Sequence, residues 1–328
     1  MTEHILICDD STFAQKQMAR ALPEDWNVQI TFANNGIEGM QAIKQGKGNI
    51  VFLDLNMPEM DGYGVLQEIR TDNLNCKVIV VSGDIQTDAY RRVMELGALD
   101  FIKKPTDREE VVRVLDKCGF RQQSTAKQQT QIDVSIFDGY KEIANVAMGR
   151  AASLLARLLD CFVIMPIPIV NVLEVSELRM MLENVGEDEN ISAVCQGFIG
   201  NGIAGEALLI FHEASFADIA ELMKHEGTID DLVQQELLMD MASILIGALL
   251  KGIADQLDTN FSQSHPTVLG QHVKINDLIK RGAGRWKKTL TIELGYSIEN
   301  RNIKSDLLLL FTEDSIPRLT ELVSYVME

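Results

Sequence analysis

Short apolar runs alternate with amphipathic stretches over the first 120 residues. The runs are rich in β-branched residues and have the length of buried strands, and the stretches between them repeat apolar positions at helical spacing. The expected strands are HILIC, VQITFA, NIVFLDL, KVIVVSG and LDFIKKP, and the expected helices begin near Ser11, Gly36, Gly64, Thr87 and Asp107. Alternating strands and helices predict an α/β fold, in which helices cover a doubly wound, five-stranded parallel sheet.

The pattern changes after residue 120. Residues 121–133 begin with RQQSTAKQQTQ and are predicted to form a polar linker. The alternative is an extension of a helix, because Gln, Ala and Lys are good helix formers. Residues 134–328 contain an internal repeat, with halves of about 134–230 and 231–328, because a shift of 98 residues places Pro168 on Pro266 and a shift of 100 places GEALLIF on SDLLLLF. This repeat predicts an α+β domain with an antiparallel sheet and two long related helices, and it leaves the strand order open.

The first of these long helices is expected to present two different faces. Asp138, Glu142 and Asn145 share one polar stripe, since positions i, i+4 and i+7 lie on one side of a helix. An apolar stripe, expected to pack on a core, runs through Ile143, Val146, Ala147, Ala151, Leu154 and Leu158.

The composition narrows the class of partner. The net charge of −18, without a clustered basic face, argues against a nucleic-acid partner. The five cysteines are scattered, which fits reduced thiols. The chain starts without an export signal, and its longest apolar stretch, FVIMPIPIV, is too short for a membrane span of ~20 residues. We therefore expect a cytoplasmic protein without a membrane or nucleic-acid partner.

Polar side chains follow the strands of the predicted parallel sheet. Asp9 and Asp10 follow the first strand, Asp54 ends the third, Ser82 ends the fourth and Lys104 follows the fifth. The carboxyl ends of parallel strands meet at one edge, where such folds bind ligands. Three converging carboxylates need a hard cation, Mg²⁺ (or Mn²⁺), to offset their repulsion. With Lys104 and Ser82, this site is suited to stabilising a phosphoryl group on one carboxylate.

These positions, together with VFLDLNMPEMDG, closely resemble the CheY-like response-regulator receiver domains over residues 1–120. The resemblance implies a histidine kinase or phosphotransfer protein as the phosphoryl donor. The implied roles are Asp54 as phosphoacceptor; Asp9, Asp10, Asp54 and the backbone carbonyl of Asn56 as metal ligands; Ser82 and Lys104 as phosphoryl-binding residues; and Phe101 as the switch aromatic residue.

The polar stripe on the long helix has a chemical interpretation. A carboxylate can grip a cation on a partner, while an amide one turn away can orient a water molecule. A stripe of this kind is usually a solvated helix face, but this one is duplicated, with Glu236, Asp240 and Ser243 in the second copy. Its spacing, followed by Pro168, resembles that of the CheC/CheX/FliY family of CheY-phosphate phosphatases over residues 134–328.

This second resemblance implies a catalytic pair. Glu142 would pair with a receiver lysine, Asn145 would place the attacking water, and Asp138 would flank the site. In the second copy, Asp240 is one methylene shorter than glutamate and Ser243 has no amide, so that copy is expected to be weak or inactive.

Together the two resemblances imply a response regulator, phosphorylated on Asp54, in chemotaxis-type signalling. Its output domain would hydrolyse the aspartyl phosphate of a CheY-like receiver, either another protein's or its own. The alternative is a non-catalytic adaptor or phosphate sink that binds phosphorylated receivers. The sequence leaves open the substrate, the cognate kinase, the sign of regulation, the activity of the second site and the oligomeric state.

Overall fold

The structure is a computed structural model that describes residues 3–23, 26–120, 135–174, 177, 191–212, 216–273, 289–301 and 303–327. The predicted linker, 121–133, lies outside the described residues, and the predicted domain boundaries stay predictions. The chain divides into two compact units, Met1–Glu142 and Ile143–Glu328.

The first unit contains a five-stranded parallel sheet in the order β2-β1-β3-β4-β5. Its strands are β1 (Glu3–Cys8), β2 (Val28–Ala33), β3 (Ile50–Leu53), β4 (Lys77–Ser82) and β5 (Asp100–Lys103), and its helices are α1 (Thr12–Ala21), α2 (Gly36–Lys44), α3 (Gly62–Thr71), α4 (Thr87–Glu95) and α5 (Arg108–Lys117). The predicted α/β fold with a five-stranded parallel sheet is confirmed.

Side-chain caps fix where the helices of this unit begin. The hydroxyl of Ser11 accepts from the backbone N–H of Ala14, so α1 starts directly after Ser11, close to the expected position. The carboxylate of Asp61 accepts from the N–H of Gly64 at 2.7 Å. Helix α3 therefore begins at Gly62, two residues before the expected start.

Both faces of the parallel sheet are buried. Leu6 of β1 lies in one hydrophobic cluster with Val51 and Val80, while its neighbours Ile5 and Ile7 lie in the other. This division follows from the alternation of side chains along a strand. Both clusters draw only on residues between 5 and 120, so the sheet has a core of its own.

The second unit contains an antiparallel sheet and two long helices, as the sequence predicts. The elements, in chain order, are α6 (Ile136–Leu159), β6 (Val163–Ile164), β7 (Ile169–Leu173), β8 (Ile191–Gly200), β9 (Ile203–His212), α7 (Phe216–Leu222), α8 (Asp231–Gln256), β10 (Ser262–Gln263), β11 (Thr267–Val273), β12 (Thr289–Ile298), β13 (Lys304–Phe311) and α9 (Ile316–Met327). Helix α6 begins within the first unit and crosses the boundary at Glu142. The sheet order is β10-β8-β9-β13-β12-β6, with β11 also pairing with β8 and β7 with β12.

The two halves of the repeat occupy equivalent positions in the strand order of this sheet. Strands β9 and β13 pair at the centre, where Leu208 lies opposite Leu308, its counterpart at a shift of 100 residues. On one side β11 of the second half pairs with β8 of the first, and on the other side β7 of the first half pairs with β12 of the second. Each half therefore contributes an outer strand to the other half.

Helix α8 is the one helix among the described residues that is long and apolar enough to cross a membrane, with a mean hydropathy of 1.8. Of its apolar window, 61% is buried inside the structure. The buried core helix of a globular domain meets the same criteria of length and composition, so this helix is weak support for a membrane span.

The predicted apolar stripe of α6 is correct at its start and wrong at its end. Ile143, Val146, Ala147 and Ala151 are buried, whereas Leu154 and Leu158 are 42% and 55% exposed. The buried leucines are instead Leu155 and Leu159.

Candidate functional site

The carboxyl edge of the parallel sheet brings two aspartates to one lysine. Lys104 Nζ lies 2.7 Å from Asp9 Oδ2 and 3.2 Å from Asp54 Oδ1. Asp9 follows β1, Asp54 follows β3 and Lys104 follows β5, so the parallel arrangement of the strands places all three side chains at the same edge. All three residues are buried, with exposures of 5% or less.

Two residues that the sequence interpretation did not single out hold the loop after β1. The backbone N–H of Ser11 donates to Asp9 Oδ1 at 2.9 Å. The side-chain amide of Gln15 donates to the backbone carbonyl of Asp9 at 2.7 Å and to that of Ala33 at 3.2 Å. Ser11 and Gln15 therefore position Asp9. A polar residue on the buried face of α1, where Gln15 is 3% exposed, is the signal that could have identified it.

Asp9, Asp10 and Asp54 form a cluster that fits a divalent cation. One ligand oxygen from each carboxylate lies within 4.8 Å of the other two. Asp54 Oδ2 also accepts from the backbone N–H of Asn56 at 3.0 Å, which fixes the orientation of its carboxylate. Oxygen donors of this charge and number are the set that Mg²⁺ prefers. Asp9, Asp10 and Asp54, with the backbone carbonyl of Asn56 as predicted, are the residues that would hold the ion.

The last residue of the first unit adds another carboxylate to Lys104. Glu142, on α6, places Oε1 3.4 Å and Oε2 3.5 Å from Lys104 Nζ, and the second contact has hydrogen-bond geometry. Glu142 is only 3% exposed. The ammonium group has three N–H donors, and three carboxylates, those of Asp9, Asp54 and Glu142, lie around it.

Burial dominates the electrostatics of the carboxylates in this cluster. Burial raises the pKa of Asp54 well above its usual range, and Asp9 and Asp10 add to this effect while Lys104 opposes it. Burial, reinforced by Asp9, raises the pKa of Asp10 to about 7. The pKa of Glu142 is also raised by burial, with Lys104 opposing. A bound cation would therefore stabilise the ionised form of these carboxylates.

Lys104 stays charged in this surrounding. Burial by itself lowers the pKa of a lysine, but the attraction of Asp54, Asp9 and Glu142 outweighs burial, so the pKa of Lys104 lies well above its ordinary value. A buried ammonium group of this kind is suited to holding the oxygens of a phosphoryl group.

Asn145 stands one helical turn after Glu142 on α6. It is 8% exposed, and its amide oxygen is buried without a hydrogen-bond partner within the described part of the chain. Asp138 lies in the first turn of the same helix and is half-buried.

The counterpart residues of the second copy are in a different environment. Glu236, Asp240 and Ser243 on α8 are all exposed. Glu236 and Asp240 line an open surface cavity of about 440 Å³, together with Lys224 and His225. The hydroxyl of Ser243 donates to the carbonyl of Met239 in its own helix, so it is bonded within the helix.

The remaining predicted residues lie at the same sheet edge or close to it. Ser82 ends β4, is fully buried and accepts from the backbone N–H of Asp84 at 3.2 Å. Phe101 of β5 is 8% exposed and contacts the ring of Tyr90 edge to face, with 6.0 Å between the ring centroids.

Comparison with known proteins assigns the first unit. A family model, the response regulator receiver domain, matches residues 5–116. The chain is 33% identical over 117 residues to the chemotaxis protein CheY of Thermotoga maritima, a match that covers 36% of this chain and 98% of CheY. The chain belongs to the response regulator family.

Other relatives share only part of their length with this response regulator. The chain is 30% identical over 148 residues to the probable C4-dicarboxylate response regulator DctR of Priestia megaterium. The match covers 43% of this chain and 64% of DctR, so the chain spans less than two thirds of that relative's length. The crystal structure of Thermotoga maritima FliY aligns with 60% of this chain and 100% of its own at 17% identity, with a TM-score of 0.45. A score at that level does not establish a shared fold.

Proposed function

We propose that this response regulator is phosphorylated on Asp54 and that its second domain is a protein aspartyl-phosphate phosphatase acting on a CheY-like receiver. The observation that carries the proposal is the contact of Glu142 with Lys104, 3.4 Å apart, with the buried amide of Asn145 one turn further along the same helix. The contact supports the proposal because a carboxylate can hold the lysine of a phosphoryl site, and an amide one helical turn away can orient a water molecule.

The reaction is hydrolysis of an acyl phosphate. Asn145 orients a water molecule by accepting from it through the amide oxygen, and this water attacks the phosphorus atom. The bond between phosphorus and the Asp54-type carboxylate oxygen breaks, which gives a free carboxylate, inorganic phosphate and one proton released to solvent. Lys104 donates to the phosphoryl oxygens, whose charge is shared in the transition state, and Glu142 holds Lys104 in place.

Asp9, Asp10 and Asp54 would hold a Mg²⁺ ion, which would offset the negative charge of the phosphoryl oxygens when bound. The backbone N–H of Asn56 donates to Asp54 and keeps its carboxylate oriented. Ser82, buried at the end of β4, is in place to donate its hydroxyl to a phosphoryl oxygen.

The other partners follow from the receiver. A histidine kinase or phosphotransfer protein serves as the phosphoryl donor, and the likeness to a chemotaxis protein favours chemotaxis-type signalling in the cytoplasm. Phe101 acts as the switch residue. The exposed residues Glu236, Asp240 and Ser243 form a second site of weak or no activity, because its hydroxyl cannot replace an amide.

Release of inorganic phosphate tests this proposal. In one sample the full-length protein alone is loaded with radiolabelled acetyl phosphate in Mg²⁺. In a parallel sample a CheY-like receiver is loaded in the same way together with the full-length protein. The loss of protein-bound label is followed in both. Asn145→Ala is expected to slow this loss at least about 10-fold, since a positioned general-base or water-orienting group contributes on the order of 10²-fold or more. Leu154→Ala, at an exposed position of α6, is the matched control and keeps the parent rate.

Two outcomes would contradict the proposal. Equal decay in the parent and in a folded Asn145→Ala variant would show that the amide has no catalytic role. Stable binding of a phosphorylated receiver without any acceleration of its decay would indicate an adaptor instead.

The double variant Asp240→Ala, Ser243→Ala is expected to retain most of the activity. Loss of activity in this variant would assign the catalytic residues to α8.

A further inference from the structure

We infer that the aspartyl phosphate hydrolysed with Glu142 and Asn145 is the chain's own, formed on Asp54 and removed within the same molecule. This inference rests on the proposed phosphatase function and names its substrate. Hydrolysis within the response regulator itself would then set how long Asp54 stays phosphorylated.

The first argument is the state of Glu142. Its carboxylate lies within 3.5 Å of Lys104 of the same compact unit, and Lys104 is in turn 3.2 Å from Asp54 Oδ1. A separate receiver would have to offer its own lysine to Glu142, but Glu142 is 3% exposed and already pairs with Lys104. Access for a foreign lysine requires this buried pair to open first.

The second argument is the contrast with the other copy. Asp240, the counterpart of Glu142 on α8, is exposed, and so is Ser243, the counterpart of Asn145. Burial at the first copy is therefore not a general property of these helix positions. The copy that keeps the glutamate and the amide is the one whose glutamate contacts the chain's own lysine.

The third argument is the short tether. Residues 120 and 135, which lie on either side of the predicted linker, are fifteen positions apart in the sequence. A segment of that length spans at most about 50 Å when extended, more than the diameter of a small domain. Groups joined in one chain through so few residues can reach effective concentrations in the millimolar range, which a separate receiver would have to match to compete.

The intramolecular step is balanced by water alone. Water supplies the oxygen that bonds to phosphorus, the bond from phosphorus to the Asp54 oxygen breaks, and the released proton goes to solvent. Asp54 returns to the carboxylate that can be phosphorylated again by a donor of the acyl-phosphate or phosphohistidine class.

Complementation between full-length variants tests this inference. Asn145→Ala retains the phosphoacceptor but lacks the amide, whereas Asp54→Ala retains Glu142 and Asn145 but cannot be phosphorylated. Asn145→Ala is loaded with radiolabelled acetyl phosphate in Mg²⁺, freed of excess donor, and mixed with an excess of Asp54→Ala. The expected result is less than a twofold change in its decay, while the parent protein alone decays at least about 10-fold faster, at a first-order rate that does not change over a 100-fold range of protein concentration.

The outcomes separate the two levels of the proposal. Acceleration that grows in proportion to the Asp54→Ala concentration would overturn the intramolecular inference and leave the phosphatase function intact. Identical decay of parent and Asn145→Ala proteins would overturn both. Asn145→Ser, which carries the side chain of the second copy, provides a second slow variant if Asn145→Ala fails to fold.

Discussion

Asp84 illustrates how a single buried carboxyl group can set the pH dependence of stability. It lies two residues after Ser82, is 4% exposed, and accepts hydrogen bonds from the backbone N–H and the side-chain amide of Gln86, each at 3.1 Å. Burial raises its pKa to about 6, and the hydrogen bonds from Gln86 and the charge of Arg92 only partly oppose this. The folded protein therefore binds a proton at Asp84 more tightly than the unfolded chain does.

Replacement of Asp84 by asparagine is expected to stabilise the protein at neutral pH. Between about pH 4 and pH 6 the ionisation of Asp84 makes the free energy of unfolding fall as pH rises, and the cost is fully present above pH 6. A rise of the Asp84 pKa to about 6 corresponds to at most about 3 kcal/mol, so Asp84→Asn should raise the free energy of unfolding by about 1–3 kcal/mol at pH 7.5 and by little near pH 4. Urea unfolding at both pH values measures this. A gain of equal size at both would show that ionisation is not the cause.

At the scale of helices, α6 and α8 approach each other closely at one point. A Cβ atom added to Gly252 of α8 would lie 2.9 Å from the Cα and 3.0 Å from the Cβ of Ala147 on α6. These distances are below ordinary contact, and one of the atoms belongs to the backbone, which cannot rotate away. The absence of a side chain at Gly252 therefore allows the helices to pack at this distance.

Two glycine-to-alanine changes in α8 are expected to have opposite effects on stability. Gly247→Ala should stabilise by about 0.5–1 kcal/mol, because alanine favours a helix interior and the nearest atom to its Cβ is Gln263 Oε1, at 3.9 Å. Gly252→Ala should destabilise by about 1–3 kcal/mol despite the same propensity, because it forces α6 away. The urea midpoint of the helical circular dichroism signal compares the two. Stabilisation by both changes would disprove the close packing of α6 on α8.

The same helices show where sequence patterns stop being informative. Along α6 the leucines come in adjacent pairs, Leu154 with Leu155 and Leu158 with Leu159, so two apolar stripes about 100° apart fit the pattern equally well. Only packing selects between them, and it buries Leu155 and Leu159. Burial of one stripe is thus a tertiary outcome rather than a local one.

The two sheets also differ in how far the sequence predicts which strands pair. In the first unit, helices between consecutive strands impose parallel pairing, so the sequence predicts that Asp9, Asp54 and Lys104 meet at one edge. In the second unit, strand periodicity defines faces but not neighbours, and β11 pairs with β8 across the repeat. The contact between Glu142 and Lys104 joins residues 38 positions apart, and no local pattern encodes its distance.

At the scale of the whole molecule, the distribution of cores matters more than the total charge of −18. The two hydrophobic clusters around the parallel sheet use residues from 5 to 120, and the receiver family model ends at residue 116. The carboxylates suited to a cation, Asp9, Asp10 and Asp54, belong to the same stretch. Folding and phosphorylation of the receiver should therefore need nothing beyond residue 120.

A protein of residues 1–120 is accordingly expected to fold alone and to be phosphorylated on Asp54 by acetyl phosphate in the presence of Mg²⁺. Chelation of the ion should abolish labelling, because the carboxylates around Asp54 repel an anionic donor unless a cation offsets their charge. Asp54→Ala is the control for the labelled residue. Because this shorter protein lacks Glu142 and Asn145, its label should also persist at least about 10-fold longer than that of the full chain, which mass spectrometry or radiolabel decay can measure. Labelling that survives chelation would contradict the metal assignment, and equal lifetimes in the two proteins would mean that the residues after 120 do not act on Asp54.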